Sequence, residues 1–400
     1  MLPGIKIEYK NGNLGIVNPS ADGLLGLICT GVSVDEAGED CKFALNEVYS
    51  LRKLSDLLTL GITGKEKDKN ANVVKLVKEF YTEAEEGTKV FLMVFPQDTT
   101  ISEMLDWNEE NSVKKLLNYA NGEIRGLIVS GTDPDMKNAM EKAQNLGEKV
   151  TKSKYAPIFT ILEGCNFNGI AGDLPNLAEY THNRVGVFIG DSEVEIDKET
   201  GSKKSSALGL LAGRIAKIPV QRNIGRVKDG AVATVKAYIG DVAVESADPE
   251  SIHDKGYITF RTFTGRSGYF FSDDVLATDS DDDYCFLARR RTIDKAYRIV
   301  YNTLIDELMD EIPVNEDGTL QAAMVRSWQG KVESAVARQM TANGELSADP
   351  TDPNDKGVIC EIDSTQNVVS TSRIDVNVKV RPFGYARYIE VHLGFTTVTA

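Results

Sequence analysis

Four predominantly apolar runs constrain the fold of this chain more than any other feature: KVFLMVF (89–95), IRGLIVS (124–130), PIFTILE (157–163) and VGVFIG (185–190). A strand that is apolar at every position must be covered on both faces, whereas a strand with one wet face alternates. Helical patterns separate the runs, near 112–121 and 134–150. A further helix carrying Leu208, Leu211, Ala212 and Ile215 stops before Pro219. Apolar strands alternating with helices predict an α/β body built on a mostly parallel sheet. Upstream, GLLGLICT (23–30) reads as another strand. Ala44, Val48, Leu51, Leu54 and Leu58 predict a helix ending at Gly61, and Val73, Leu76, Val77, Phe80, Tyr81 and Ala84 predict a second, stopped by Gly87.

Both ends of the chain change period. Ile5, Ile7 and Tyr9 alternate with lysines and Glu8 ahead of the turn pair Asn11-Gly12, a strand followed by a hairpin signal. In the second half, 228–272 reads as β-rich, and an acidic loop, TDSDDD (278–283), precedes two long helices. Ile293, Tyr297, Val300, Leu304 and Leu308 mark the first; Leu320, Met324, Trp328 and Val332 mark the second, with Asp317-Gly318 between them. After a polar loop (348–357) comes the clearest two-residue period in the chain: Ile374, Val376, Val378 and Val380 alternate with polar residues. Pro382 and Gly384 interrupt it, and a last strand is predicted from near Arg387, with Ile389, Val391, Leu393 and Phe395 on one side. The organisation expected is an N-terminal strand arm (1–20), an α/β domain (21–225), a C-terminal α+β assembly domain (226–384) and a C-terminal strand arm (385–400).

Several chemistries lack their residues. The net charge of −15 argues against a nucleic-acid surface, which needs clustered cations to replace phosphate counterions. No apolar run approaches the ~20 residues of a membrane span, and the start MLPGIKIEYK has no secretory pattern, so synthesis in the cytosol is expected. Cys29, Cys41, Cys165, Cys285 and Cys360 are scattered, with no CxxC pair, and His182, His253 and His392 are isolated in sequence. That suits buried thiols rather than a zinc site or a disulfide framework. Gly61–Lys65 (GITGK) lacks both the upstream glycine and the following Ser or Thr of a phosphate loop. The aspartates of 273–283 lack calcium-loop spacing and read as a solvated loop, to which the neighbouring Arg289-Arg290-Arg291 is expected to pair. No nucleophile elbow or HExxH motif occurs. No catalytic residue, metal ligand or cofactor-binding residue is assigned.

The order of features in the second half resembles the sheath proteins of contractile phage-type tails. SSALGLLAGRIAKIPVQRNIGRVKDG (205–230) resembles their Ala/Gly-rich helix leading into a proline loop. GYITFRTFTGRSGYFF (256–271) resembles the strand with an Arg-Thr pair, here Arg261-Thr262; where that pattern often carries Trp-Gly beforehand, this chain has Thr259-Phe260. YCFLARRRTIDKAYRIVYNTLIDELMDEI (284–312) is similar to the long helix opening on an arginine cluster. RIDVNVKVRPFGYARYIEVHLGF (373–395) is similar to the closing strand pair, and LPGIKIEYKNGNLG to an N-terminal arm. The resemblance implies a non-enzymatic subunit that polymerises with itself as stacked rings around a tail tube and contracts. Its further partners would be the tube protein, baseplate and tail terminator, with assembly in a bacterial cytoplasm. Ile5, Ile7 and Tyr9, and Ile389, Val391, Leu393 and Phe395, would then be inter-subunit arm residues, with Pro382 and Gly384 as the hinge. The alternatives are a nucleotide-binding α/β enzyme, for which FPQDTT (95–100) lacks the glycine-rich turn, and another virion structural protein.

Overall fold

The computed structural model describes residues 21–34, 42–62, 70–193 and 206–395. Two units divide the chain, 1–301 and 302–400.

In the first unit the continuous apolar runs form the centre of an eight-stranded sheet. Its strands are β1 (Leu25–Gly31), β2 (Val48–Leu51), β3 (Val90–Pro96), β4 (Gly126–Val129), β5 (Phe159–Glu163), β7 (Val185–Ile189), β10 (Ile258–Arg261) and β11 (Phe270–Phe271). Two-residue ladders pair β6 (Thr181–His182) with β12 (Ala277–Thr278), and β8 (Tyr238–Ile239) with β9 (Val242–Ala243). The order across the large sheet is β11-β10-β7-β5-β4-β1-β3-β2. All six inner strands run parallel, and antiparallel β2 and β11 close the edges. Leu27, Ile28, Leu92, Met93, Leu127, Ile128, Ile161 and Val187 are buried at its centre, as strands covered on both faces require.

The helices of this unit are α1 (Asp56–Thr59), α2 (Ala71–Ala84), α3 (Ile101–Met104), α4 (Val113–Tyr119), α5 (Met136–Lys154), α6 (Leu208–Lys217), α7 (Pro249–His253) and α8 (Leu287–Leu304), the last crossing into the second unit. The pairing of α2 with α6 depends on two glycines. A Cβ at Gly209 would lie 2.3 Å from the Leu76 carbonyl oxygen, and one at Gly213 would lie 2.6 Å from that of Phe80. Their absence lets the backbones touch and brings Arg214 within 2.5 Å of Glu83, both buried. Glu83 also accepts from the Ala233 N–H, and Arg214 donates to the carbonyls of Gly230 and Ala231. The Ala/Gly-rich segment thus ties two helices and the following loop together.

Four expectations change here. The helix predicted over Ala44–Leu58 is instead strand β2 followed by the single turn α1. Val48, Tyr49 and Leu51 pair with Met93, Leu92 and Val90 along the edge of β3, and Asn46 sits at φ 59°, a conformation that interrupts a helix. Edge pairing therefore overrides a four-residue apolar spacing. Of AVATVKAYIG only Tyr238–Ile239 becomes strand, so 228–272 is less regular than predicted. The domain boundary expected at 225 falls inside the first unit, because β10 and β11 extend the same sheet. The strand predicted from Arg387 is not formed either: 381–395 has no strand assignment.

The second unit contains α9 (Ala322–Gln339), β13 (Val358–Ile362), α10 (Val368–Thr371) and β14 (Val376–Val380). β13 and β14 form an antiparallel two-stranded sheet from Val358↔Val380 to Ile362↔Val376. Val358, Cys360 and Ile362 are buried beside Val332, Val336 and Met340 of the α9 segment, whereas Ile359 faces out. Among the described residues, no helix is long and apolar enough to cross a membrane.

Candidate assembly surface

The arm residues expected at the C-terminus all lie beyond the small sheet, and their root is built in detail. The Arg381 N–H donates to the Gly357 carbonyl, the Arg381 carbonyl accepts from the Ser347 N–H, and its guanidinium reaches Asp355 at 2.6 Å. Hydrogen bonds from Arg381 and from the Asp349 and Gly357 N–H groups hold the Asp355 carboxyl down to about 2. Pro382 follows at once and is exposed, and a Cβ at Gly384 would meet nothing within 4 Å. The chain is therefore held at Arg381, and the space a Cβ would take at Gly384 is open among the described residues.

Past that point Tyr388, Ile389, Val391, Leu393 and Phe395 are 85%, 78%, 70%, 94% and 108% exposed. Isolated apolar residues on a surface are ordinary, but five large ones within eight residues amount to a contiguous apolar segment. Ile389, Val391, Leu393 and Phe395 share one parity, so in extended conformation they stand on one side. The tail lacks a strand partner among the described residues, which is why a sequence with the right alternation is not a strand here. The N-terminal arm residues Ile5, Ile7 and Tyr9 lie outside the described residues.

The sheet beside this tail offers edges of unequal character. Each strand has one strand neighbour among the described residues. On β13, the Cys360 N–H donates to the Glu333 carboxylate, which also pairs with Lys356. That edge is partly occupied by α9, whereas β14 alternates between half-buried and exposed positions along its length. An open strand edge carries N–H and C=O groups that template further pairing. Sequence reasoning found the tail but missed β13, Glu333 and the Arg381–Asp355 anchor, because those partners are separated by the polar loop and a helix.

The other candidate sites resolve into structural contacts. Asp274 accepts from the Ala288 N–H at the start of α8, and Asp273 and Asp274 both accept from Asn223. Asp282 accepts from Asn183, Thr278 and the Tyr284 N–H. Among the described residues, no group of three or more His, Cys, Asp or Glu side chains is placed to hold a metal. The arginine cluster's contacts run elsewhere than to the acidic loop, a correction to the expected pairing. Arg289 lies over Phe286, Arg290 pairs with Asp294, and Arg291 donates to the carbonyls of Ile215 and Ile218. Consecutive helical positions point about 100° apart, so the three separate: Arg289 and Arg290 lie against Phe286 and Tyr284, which lead into α8, and Arg291 alone turns to the end of α6. Burial pushes the Cys29 thiol up to about 12 and the Cys165 thiol up to about 11, so neither is a ready thiolate; Cys41 lies outside the described residues.

Parallel sheets of this order hold ligands beyond the strands' carboxyl ends, where the order reverses, here between β1 and β4. At that point the Asn70 amide bonds both the N–H and the carbonyl of Val32. Glu163 accepts from the Ser130 hydroxyl and the Gly131 N–H. Groups that would recognise a nucleotide phosphate are engaged within the protein. Residues 63–69, which include the rest of the GITGK segment, lie outside the described residues.

Family models for the N-terminal and C-terminal domains of DUF2586 match residues 2–275 and 283–399. No curated protein matches the chain significantly. Among solved structures, a chain of the anti-feeding prophage (AFP) baseplate, 6-fold symmetrised, matches with TM-score 0.64 at 15% identity, covering 99% of each chain. A chain of the PVC sheath complex, an extracellular contractile injection system in its contracted state, matches with TM-score 0.60 at 13% identity, covering 99% of this chain and 98% of that one. A chain of the AFP baseplate in its contracted state matches with TM-score 0.60 at 13% identity, covering 98% of both. The chain shares, over nearly its whole length, a fold found in components of contractile injection systems.

Proposed function

We propose that this chain, a member of the DUF2586 family, is a sheath subunit: a structural, non-catalytic protein that polymerises as stacked rings around a tail tube and contracts to drive the tube through an envelope. The observation that carries the reading is the exposed apolar face of 388–395, rooted beside a two-stranded sheet. A strand added to that sheet would supply its own backbone hydrogen bonds, and alternate side chains would set its register. The C-terminal arm, hinged at Pro382 and Gly384, extends a neighbour's sheet, and Ile5, Ile7 and Tyr9 do the same from the N-terminal arm.

Such head-to-tail contacts do not close by two-fold symmetry and so build rings or helices. During contraction the arms stay paired while the bodies rotate and pack more densely. The tube protein, baseplate and tail terminator are the other partners, and assembly takes place in a bacterial cytoplasm. Nucleotide chemistry is disfavoured by the hydrogen bonds that occupy the β1/β4 crevice.

The likeness to chains in two AFP baseplate structures favours one second reading, a baseplate component. Deleting residues 385–400 tests the first. The truncated chain is expected to remain folded and to form no tubes, and normal tubes would refute the arm mechanism. Long striated cylinders from the intact protein support a sheath, whereas assembly that stops at single rings supports the baseplate reading.

A further inference from the structure

The chain carries a net charge of −15, yet one surface of the first unit gathers lysines. Trp107 follows α3, half-buried, its indole packed against the core. The ammonium groups of Lys114 in α4 and of Lys149 and Lys154 in α5 lie 5.6, 5.4 and 5.9 Å from the centroid of its ring. One cation over a tryptophan is a common and favourable contact. Three around one ring are no more than about 12 Å apart, close to the ~10 Å Debye length, and so repel one another. Lys154 donates to the Asn118 side chain, and among the described residues none of the three lysines forms an ion pair. Asp106, Glu47 and Glu148 are taken by Lys142, Lys115 and Lys152. Glu109 and Glu110, in the loop between Trp107 and Lys114, are exposed and form no ion pair either. Counted against the three lysines, these two acids still leave the patch cationic.

The second unit exposes the reverse arrangement. Between Arg298 and Arg326 the sequence holds six carboxylates and no Lys, Arg or His. Within it, in residues 306–311 (DELMDE), Leu308 and Met309 are 68% and 97% exposed. Met309 stands at φ 64°, and Glu307 ties the turn to Lys331 of α9. Asp306, Asp310 and Glu311 are exposed and form no ion pair among the described residues. An apolar knob flanked by carboxylates is the chemical complement of an indole ringed by ammonium groups.

We propose that the Trp107 patch is an interaction surface for a second copy of this chain, which seats Leu308 and Met309 against the indole and sets Asp306, Asp310 and Glu311 opposite Lys114, Lys149 and Lys154. The inference rests on the self-assembly proposed above and adds a contact between bodies to those made by the arms. Its two sides are different surfaces, as a head-to-tail contact in a ring or helix requires. Methionine adapts to irregular surfaces and packs well on aromatic rings. Complementary charge steers the approach and rejects wrong registers. The contact also relieves the repulsion among the three lysines.

Tryptophan emission reads this contact, because the chain has two tryptophans, Trp107 and Trp328. A full-length Trp328→Phe protein is the sensor, and a full-length Trp107→Phe, Trp328→Phe protein is the titrant. A saturable change in Trp107 emission is expected, weakened by added salt. Asp310→Lys with Glu311→Lys in the titrant is expected to raise the midpoint at least about tenfold. That reversal lowers the titrant's net negative charge, so general repulsion would move the midpoint the other way. Lys114→Glu with Lys149→Glu in the sensor is expected to restore binding of the reversed titrant, a rescue that misfolding of either variant does not give. An unchanged midpoint with the reversed titrant, no rescue, or the same emission change from polyglutamate would overturn the contact. Cylinders that form while Trp107 emission stays at its monomer value would overturn it too and leave the sheath reading standing. A saturable emission change without cylinders would support the contact and count against the sheath.

Discussion

Leu393→Ala separates the arm model from simple surface hydrophobicity. Leu393 is 94% exposed, so truncation should change the stability of the isolated chain by less than about 0.5 kcal/mol. If the residue is buried against a neighbour, truncation removes three carbons from that interface. At roughly 0.8 kcal/mol per carbon this costs about 2 kcal/mol per contact, an increase of about 30-fold in the concentration needed for assembly. Phe395→Ala added to it, at roughly 2–3 kcal/mol for a fully buried Phe side chain, should raise the effect to about 1000-fold or more, with non-additivity expected because the two are near neighbours on one strand. Glu390→Ala, on the opposite parity, serves as the control and should leave assembly unchanged. Sedimentation across a concentration series gives the assembly threshold, and calorimetry gives the monomer's melting temperature. An unchanged threshold for Leu393→Ala, or a drop of several degrees in monomer melting, would refute the reasoning.

Three other outcomes follow from the described contacts. Arg214→Ala strands the Glu83 carboxylate in the core and should cost about 3–5 kcal/mol in chemical denaturation, because one partner of a buried pair is lost. Burial raises Glu79 from 4.5 to about 7 despite Lys75 nearby, whereas the carboxylates of Glu79 and Asp191 outweigh burial to raise Lys75. A raised carboxyl means that the unfolded chain releases its proton first, so wild-type stability should fall by at most about 3 kcal/mol as pH rises from 4.5 to about 7. Glu79→Gln should flatten that part of a pH–stability profile. Asp355, depressed from 3.8 to about 2, behaves oppositely: its contribution is complete above 3.8 and lost as pH falls through about 2. Arg381→Ala should therefore loosen the tail root at neutral pH, seen as faster proteolysis within 381–388.

The residues explain which features were legible. The parallel strands announced themselves because β1, β3, β4, β5 and β7 are covered on both faces and so are mostly apolar, with Thr30, Thr160 and Glu163 the exceptions. β2 did not, because Val48–Leu51 sits at a sheet edge where pairing with β3 decides conformation and a short apolar spacing cannot. The 387–395 alternation was legible as a strand pattern even though the strand is absent, since side-chain period encodes a face and not the partner that completes it. The lysines around Trp107 were invisible as a group: Lys114 and the pair Lys149 and Lys154 reach one ring from two helices. The triple arginine drew notice, but its nearest sequence neighbours suggested the wrong partners.

A reconstruction of the assembled polymer by electron cryomicroscopy tests the arm claim most directly. The arm model predicts residues 387–395 as a strand hydrogen-bonded to the β13–β14 sheet of an adjacent copy, with Ile389, Val391, Leu393 and Phe395 buried on one side. Residues 387–395 folded back onto their own chain, or lying outside any sheet in a polymer that still forms, would contradict it.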